Sequence, residues 1–189
     1  MKISLEFITP QAEEFIGRMA GICYNAPDDT TRNIKRAAKC AQDGHLATLR
    51  FASAVFNISG ISRVCSHQFV RSKHLDFLQR SQRYCKENET DFIFPHLTKD
   101  QSFDVALHYE YCLQMYERLI KEGVRKEDAR FVLPEATQTE FNVVGNLQAW
   151  RDFIKLRADP HAQWEIRQVA KEINNILHKE CPNLFHWMP

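Results

Sequence analysis

At 189 residues the chain is long enough for one domain with its own core, and its 44% hydrophobic and 26% charged residues match a soluble globular protein. A net charge of +1 excludes a general nucleic-acid binder, so any basic site has to be local. No apolar run approaches the roughly 20 residues of a membrane span, and the opening MKISLEFITP lacks the apolar core of a signal peptide, so no membrane role and a cytoplasmic location are expected.

In chain order, Thr9-Pro10 predicts a helix start, with Thr9 as N-cap and Ala12, Phe15, Ile16 and Met19 at helical spacing. A second helix is expected from about Thr31 to Gln42, with Ile34, Ala37, Ala38 and Ala41 inward and Gly44 as its stop. His45 follows that stop. LRFASAVFNI, residues 49–58, alternates as a strand with small or apolar residues on both faces, which predicts cover on both sides. Ser59-Gly60 is expected to turn the chain into a helix carrying Arg63, Cys65, His67, Gln68 and Arg71, with Gln68 and Arg71 on one face.

Between Arg71 and Tyr84 no clean period survives, and a loop or broken helix is expected. From Ser62 to Tyr84 the segment holds Arg63, Arg71, Lys73, Arg80 and Arg83 against a single acid, Asp76. It is either a solvated basic turn or the lining of an anion site. Asp91–Pro95 reads as a short extended piece. Thr98 and Gln101 form a capping box before a long helix to about Glu122, which Gly123 ends. Lys126–Leu133 is a short helix with Arg130 near its end, and Thr139–Val144 is a strand stopped by Gly145-Asn146. Asn146 can cap the next helix, LQAWRDFIKLR. Asp159-Pro160 is expected to open the last helix, which sets Arg157 just before a helix N-terminus and His161 and Gln163 in its first turn. The six cysteines have no CxxC or Cys/His pair at metal spacing, so no metal site is expected and most should be buried hydrophobes.

Three basic centres emerge: Arg71 to Arg83, Arg130, and Arg157 with His161. Arginine forks bind phosphates and the planar edges of pyrimidines, so a nucleotide is a reasonable ligand. Periodicity alone leads no further than an anion-binding α/β domain.

Several ordered segments then carry a resemblance across nearly the whole chain. LRADPHAQWEIRQVA (residues 156–170), ARFVLP (129–134), TEFNVVGNLQAWRDF (139–153) and GISRVCSHQFVR (60–71) resemble conserved segments of the flavin-dependent thymidylate synthases. That family's defining motif is Arg-His-Arg, seven residues, then Ser, continued as Gln-Arg-Tyr; Arg71 and Ser81-Gln82-Arg83-Tyr84 stand at the matching spacing. The chain departs from it at Ser72 and Lys73, which replace His-Arg, and at Asp76. Arg50-Phe51 stands where the family has Glu-His, Gln148 where an arginine is common, and Asp152 where asparagine or histidine is common.

The resemblance implies a single α+β domain over residues 1–189, with a small mainly antiparallel sheet and several long helices. It implies methylation of dUMP to dTMP, with methylenetetrahydrofolate as carbon donor, reduced FAD as hydride source and NADPH to re-reduce the flavin. Gln68, Arg71, Gln79, Ser81, Arg83, Arg130 and Arg157 would bind dUMP, with Arg157 as the catalytic residue. His45, Arg71, Ser72, Lys73, Gln79, Asn146, Asp152 and His161 would serve the flavin. A homotetramer with shared active sites is implied. The departures raise two alternatives: a relative making another C5-modified pyrimidine nucleotide such as the hydroxymethyl product, or a non-catalytic nucleotide-binding relative.

Overall fold

The computed structural model describes residues 1–87 and 90–186. Strands β1 (Lys2–Ile8), β2 (Ser53–Ser62), β3 (Leu75–Gln79) and β4 (Gln138–Asn146) form an antiparallel sheet in the order β1-β2-β4-β3. The helices are α1 (Ala12–Gly21), α2 (Thr30–Gln42), α3 (Arg63–Phe69), α4 (Lys99–Lys121), α5 (Lys126–Ala129), α6 (Leu147–Arg157) and α7 (Trp164–Glu180). The α+β expectation holds.

Alternation fixes which sheet face is inside. Ala54, Phe56 and Ile58 of β2 and Phe141 and Val143 of β4 are buried, joined by the helix residues Phe69, Trp150, Phe153, Ile166, Val169 and Ile173 in one apolar cluster. Phe69 packs edge-on against Phe77 and Phe141 and stacks on Phe153 at 4.2 Å between ring centres. Trp150 meets Phe56 edge-on, and its indole N–H donates to Ala54 O at 3.1 Å, so the largest core side chain leaves no polar atom unpaired.

The other sheet face corrects the expectation of two-sided cover. Ser53, Val55 and Asn57 of β2 are only half-buried, and Asn57 Nδ2 donates to Glu140 and Asn142 across the strands. The helices of one chain cover one face only.

Local chemistry explains the other differences. β2 runs on to Ser62 instead of turning at Ser59-Gly60, because Gly60 takes φ +70° in a bulge where the register with β4 shifts. Thr9 does not cap α1. Its Oγ1 accepts from Ser53 N–H at 2.9 Å, binding the end of β1 to the start of β2, and α1 begins only at Ala12. The segment Leu46–Phe51, read partly as strand, is a 3-10 turn. α3 ends at Phe69, so Arg71 does not share a helix face with Gln68. The stretch read as a loop contains β3, an edge strand. α7 starts at Trp164 with Gln163 as its cap, not at Asp159.

The expected capping box of Thr98 and Gln101 is present, and Asn146 caps α6 by accepting from Ala149 N–H at 2.9 Å. α1 and α2 pack so closely that a Cβ built on Gly17 would lie 1.8 Å from Asn33 O. Gly17→Ala must therefore push the two backbones apart. We expect a stability loss of about 1–3 kcal/mol, read as a lower urea midpoint at unchanged slope. An unchanged midpoint would show that the two helices part without cost.

Candidate functional site

Two cationic centres are assembled by contacts between distant segments. The first lies where α3 meets the end of α6. Arg157, the last residue of α6, donates from Nη2 to Gln68 O at 2.9 Å. Its Nε is buried and has no hydrogen-bond partner among the described residues. Arg157 ends α6 as expected, but α7 starts only at Trp164, so Arg157 does not lie just before a helix N-terminus. Its partner is a carbonyl in the last turn of α3, which carries the negative end of that helix.

α3 is held in turn by a buried acid. Glu165, in the first turn of α7, is 4% exposed. Its Oε1 accepts from Ser62 N–H at 2.7 Å and its Oε2 from Ser62 Oγ at 2.5 Å. Ser62 is itself the N-cap of α3, accepting from Cys65 N–H at 3.0 Å. One carboxylate thus fixes the start of α3 to the start of α7, next to Arg157. Glu165 and Ser62 were missed by sequence reasoning; their only signal was that both lie inside the matched segments.

Gln79 joins this centre from the end of β3. Its Nε2 donates to Ser66 Oγ on α3 at 3.0 Å and to Thr139 Oγ1 on β4 at 3.1 Å. Two elements, α3 and β4, hold its amide and orient it. Beyond α3, Arg71 and Lys73 are exposed and have no ion-pair partner among the described residues. Ser72 Oγ is buried without a partner.

The second centre lies between the turn after β3 and α5. Arg83 Nε pairs with Glu127 Oε2 at 3.0 Å, and Arg125 Nη2 reaches Oε1 of the same carboxylate. Arg130 Nε donates to Glu127 O at 3.1 Å, so Glu127 organises three arginines. Ser81 is half-buried, its Oγ accepting from Arg83 N–H at 3.3 Å. Arg63, half-buried, has its pKa lowered by burial, with the neighbouring Arg130 acting in the same direction and Glu87 and Glu135 opposing. Arg63 therefore stands among the basic side chains around Arg130, a placement the sequence did not reveal. An anion arriving here would find several donors on one side.

The remaining predicted residues are placed elsewhere. Asn146 spends its side-chain oxygen capping α6. Asp152 is exposed and lines a cavity of about 490 Å³ with Arg151, Lys155, Asn174 and Phe185. Arg151 has its pKa lowered by partial burial, opposed by Asp152. His45 is exposed at the start of the 3-10 turn. His161 is 98% exposed, its Nδ1 2.9 Å from Asp159 Oδ1. That oxygen also accepts from His161 N–H, and these bonds lower the Asp159 pKa. No hydrogen bond joins His45, Asp152 or His161 to the Arg157–Gln68 pair among the described residues.

Four of the six thiols are shut away from any substrate by burial. All six cysteines are free, and Cys40, Cys65, Cys112 and Cys181 are buried. Burial pushes the Cys65 thiol well above its ordinary value and Cys181 up to about 12, so both stay protonated near neutral pH. Among the described residues no group of His, Cys, Asp and Glu could hold a metal ion, and no helix is long and apolar enough to cross a membrane.

Residues 4–183 match a family model described as thymidylate synthase complementing protein. A protein of Geobacter sulfurreducens named flavin-dependent thymidylate synthase is 34% identical, over 98% of this chain and 85% of its own length. One of the same name from Mycobacteroides abscessus is 33% identical, over 93% of this chain and 78% of its own length. A third, from Thermococcus onnurineus, is 42% identical over 72% of this chain and 59% of its own length.

Proposed function

The chain belongs to the flavin-dependent thymidylate synthase family, and from that premise we propose that it is an enzyme that methylates dUMP to dTMP, taking the carbon from methylenetetrahydrofolate. FAD is the flavin, and NADPH re-reduces it. The observation that carries the reading is Arg157: a half-buried guanidinium anchored by one nitrogen to Gln68 O, with its Nε buried and unpaired. A buried donor of this kind needs an acceptor, and the carbonyl edge of a pyrimidine supplies one.

We propose the following roles, which the family resemblance implies. Arg157 is the catalytic residue; it stabilises negative charge as the uracil ring is activated, a task for a fixed cation in a partly desolvated site. Gln68, Arg71, Gln79, Ser81, Arg83 and Arg130 bind and orient dUMP, the Arg83–Glu127–Arg130 centre supplying forks for its phosphate. Ser81 binds and does not attack, since it has no base beside it. His45, Arg71, Ser72, Lys73, Gln79, Asn146, Asp152 and His161 serve the flavin side. The unpaired Ser72 Oγ and the unpaired Arg71 and Lys73 fit a group rich in phosphate oxygens. A transferred methylene unit needs two electrons to become methyl, and the bound flavin supplies them as hydride. The burial of Cys40, Cys65, Cys112 and Cys181 supports a route without a cysteine nucleophile.

We further propose a single domain, acting in the cytoplasm as a homotetramer whose sites are shared between copies. The open sheet face and the exposed Phe7, Leu78, Phe103, Leu107 and Tyr111 support cover by neighbouring chains. The test is turnover in a mixture of dUMP, methylenetetrahydrofolate, FAD and NADPH, with each component omitted in turn. Product is expected only from the complete mixture. Product formed without flavin, or none from the complete mixture, would contradict the reading.

A further inference from the structure

One end of the sheet gathers three separate parts of the chain. Ser53 at the start of β2 pairs with Asn146 at the end of β4, and Leu75 at the start of β3 pairs with Gly145. Arg50 and Phe51 therefore arrive at this end from one side, and Ser72, Lys73 and His74 from the other. Leu147 and Gln148 open α6 between them. Leu147 N–H donates to Ala52 O at 2.9 Å, which ties the start of α6 to the segment carrying Arg50.

That tie brings together two positions at which the sequence leaves the pattern it otherwise follows. By the resemblance set out above, Arg50 replaces an acid and Gln148 an arginine; in the structure Arg50 Nε donates to Gln148 Oε1 at 2.8 Å. Gln148 occupies only Nε. The Nη groups of Arg50 have no hydrogen-bond or ion-pair partner among the described residues, and neither have Arg71 and Lys73 across the sheet end. Two acids lie nearby, Asp152 a turn further along α6 and Asp76 on β3 opposite Val144; both are exposed, and neither forms an ion pair with Arg50, Arg71 or Lys73 among the described residues. Ser72 Oγ, buried and unpaired, lies in the same group of residues. Unpaired cations from two sides of one sheet end suit an extended polyanion better than a single phosphate.

We propose that Arg50 is a cofactor-binding residue of this chain, gripping the diphosphate of FAD with its Nη fork while Gln148 holds the guanidinium in place. This rests on the flavin reading above. It gives the flavin site a second planar fork beside that of Arg71, where Lys73 provides only a point charge.

The experiment is a binding titration of the intact protein with FAD, with riboflavin, which lacks the diphosphate, and with dUMP. Arg50→Ala is expected to weaken FAD about tenfold to a hundredfold, leaving riboflavin and dUMP unchanged. Arg50→Lys should recover part of the loss. An Arg50→Ala protein that binds FAD like the parent overturns the assignment, as does an equal loss for riboflavin. If dUMP alone is weakened, Arg50 serves the substrate phosphate and the assignment also fails. A parent protein that binds no flavin would overturn the flavin reading itself. Arg50 is exposed and is not itself a member of the apolar core cluster, so circular dichroism and melting should match the parent.

Discussion

Arg157→Ala is expected to lower kcat by about 10²- to 10³-fold, the range seen when one fixed donor to a developing negative charge is removed. The fold gives this residue little else to do. It sits at the end of α6, outside the apolar cluster, and its one hydrogen bond among the described residues is to Gln68 O. Losing that bond costs about 1.5–3 kcal/mol at most, so the variant should remain folded. A purely structural role would lower stability and leave kcat of the folded fraction unchanged. A catalytic role leaves folding nearly intact and removes turnover, with a smaller change in dUMP binding. Arg157→Lys keeps the charge but not the second donor, and should fall between. Parent-like kcat in the alanine variant would remove Arg157 from the chemistry.

The second large effect is expected at Glu165. Glu165→Ala strips two buried donors on Ser62, its N–H and its hydroxyl, of their acceptors. Each unpaired donor costs roughly 1–3 kcal/mol. The variant should therefore lose roughly 2–5 kcal/mol, a drop in Tm of several degrees for a chain of this length. Glu165→Gln keeps an acceptor for Ser62 N–H and should recover most of the loss. The consequence reaches the site, because Ser62 caps α3 and α3 presents Gln68 to Arg157. At temperatures where Glu165→Ala is still folded, its KM for dUMP should rise. A melting temperature equal to the parent's would mean that the carboxylate clamp contributes nothing.

Much of the fold was legible where local signals were complete. The α4 capping box and the Asn146 cap stand where the residues placed them, and the alternation of β2 correctly put Ala54, Phe56 and Ile58 on one face, though not which face is the inner one. Three failures have physical causes. β3 reads LDFLQ with only Leu75 buried, so an edge strand carrying Asp76 and Leu78 outward has no clean alternation. Asp159-Pro160 imitates a helix start, but Asp159 turns its oxygen to the His161 N–H, and Gln163 caps α7 instead by accepting from Glu165 and Ile166 N–H. Thr9 imitates a cap for α1, but its hydroxyl is taken by the backbone of β2.

The site divides along the same line. Residue types and motif spacing pointed to Arg71, Ser81, Arg83, Arg130 and Arg157. Their connections were not readable, because they depend on partners far away in sequence: Arg157 with Gln68, Gln79 with Thr139, Arg83 with Glu127, Ser62 with Glu165. Nothing local to Glu165 announces a buried carboxylate; only the meeting of α3 and α7 creates the need for one. Arg50 and Gln148 likewise looked like separate departures until the fold put them in contact.

The most direct measurement is the mass of the nucleotide formed from dUMP in the complete mixture of methylenetetrahydrofolate, FAD and NADPH. The expected product is dTMP, heavier than dUMP by one CH₂ group. A product carrying an added hydroxymethyl group would show that the carbon is transferred without the final hydride, and unchanged dUMP would show that the chain binds a nucleotide without methylating it. Either result would contradict the assignment of this chain as a thymidylate synthase.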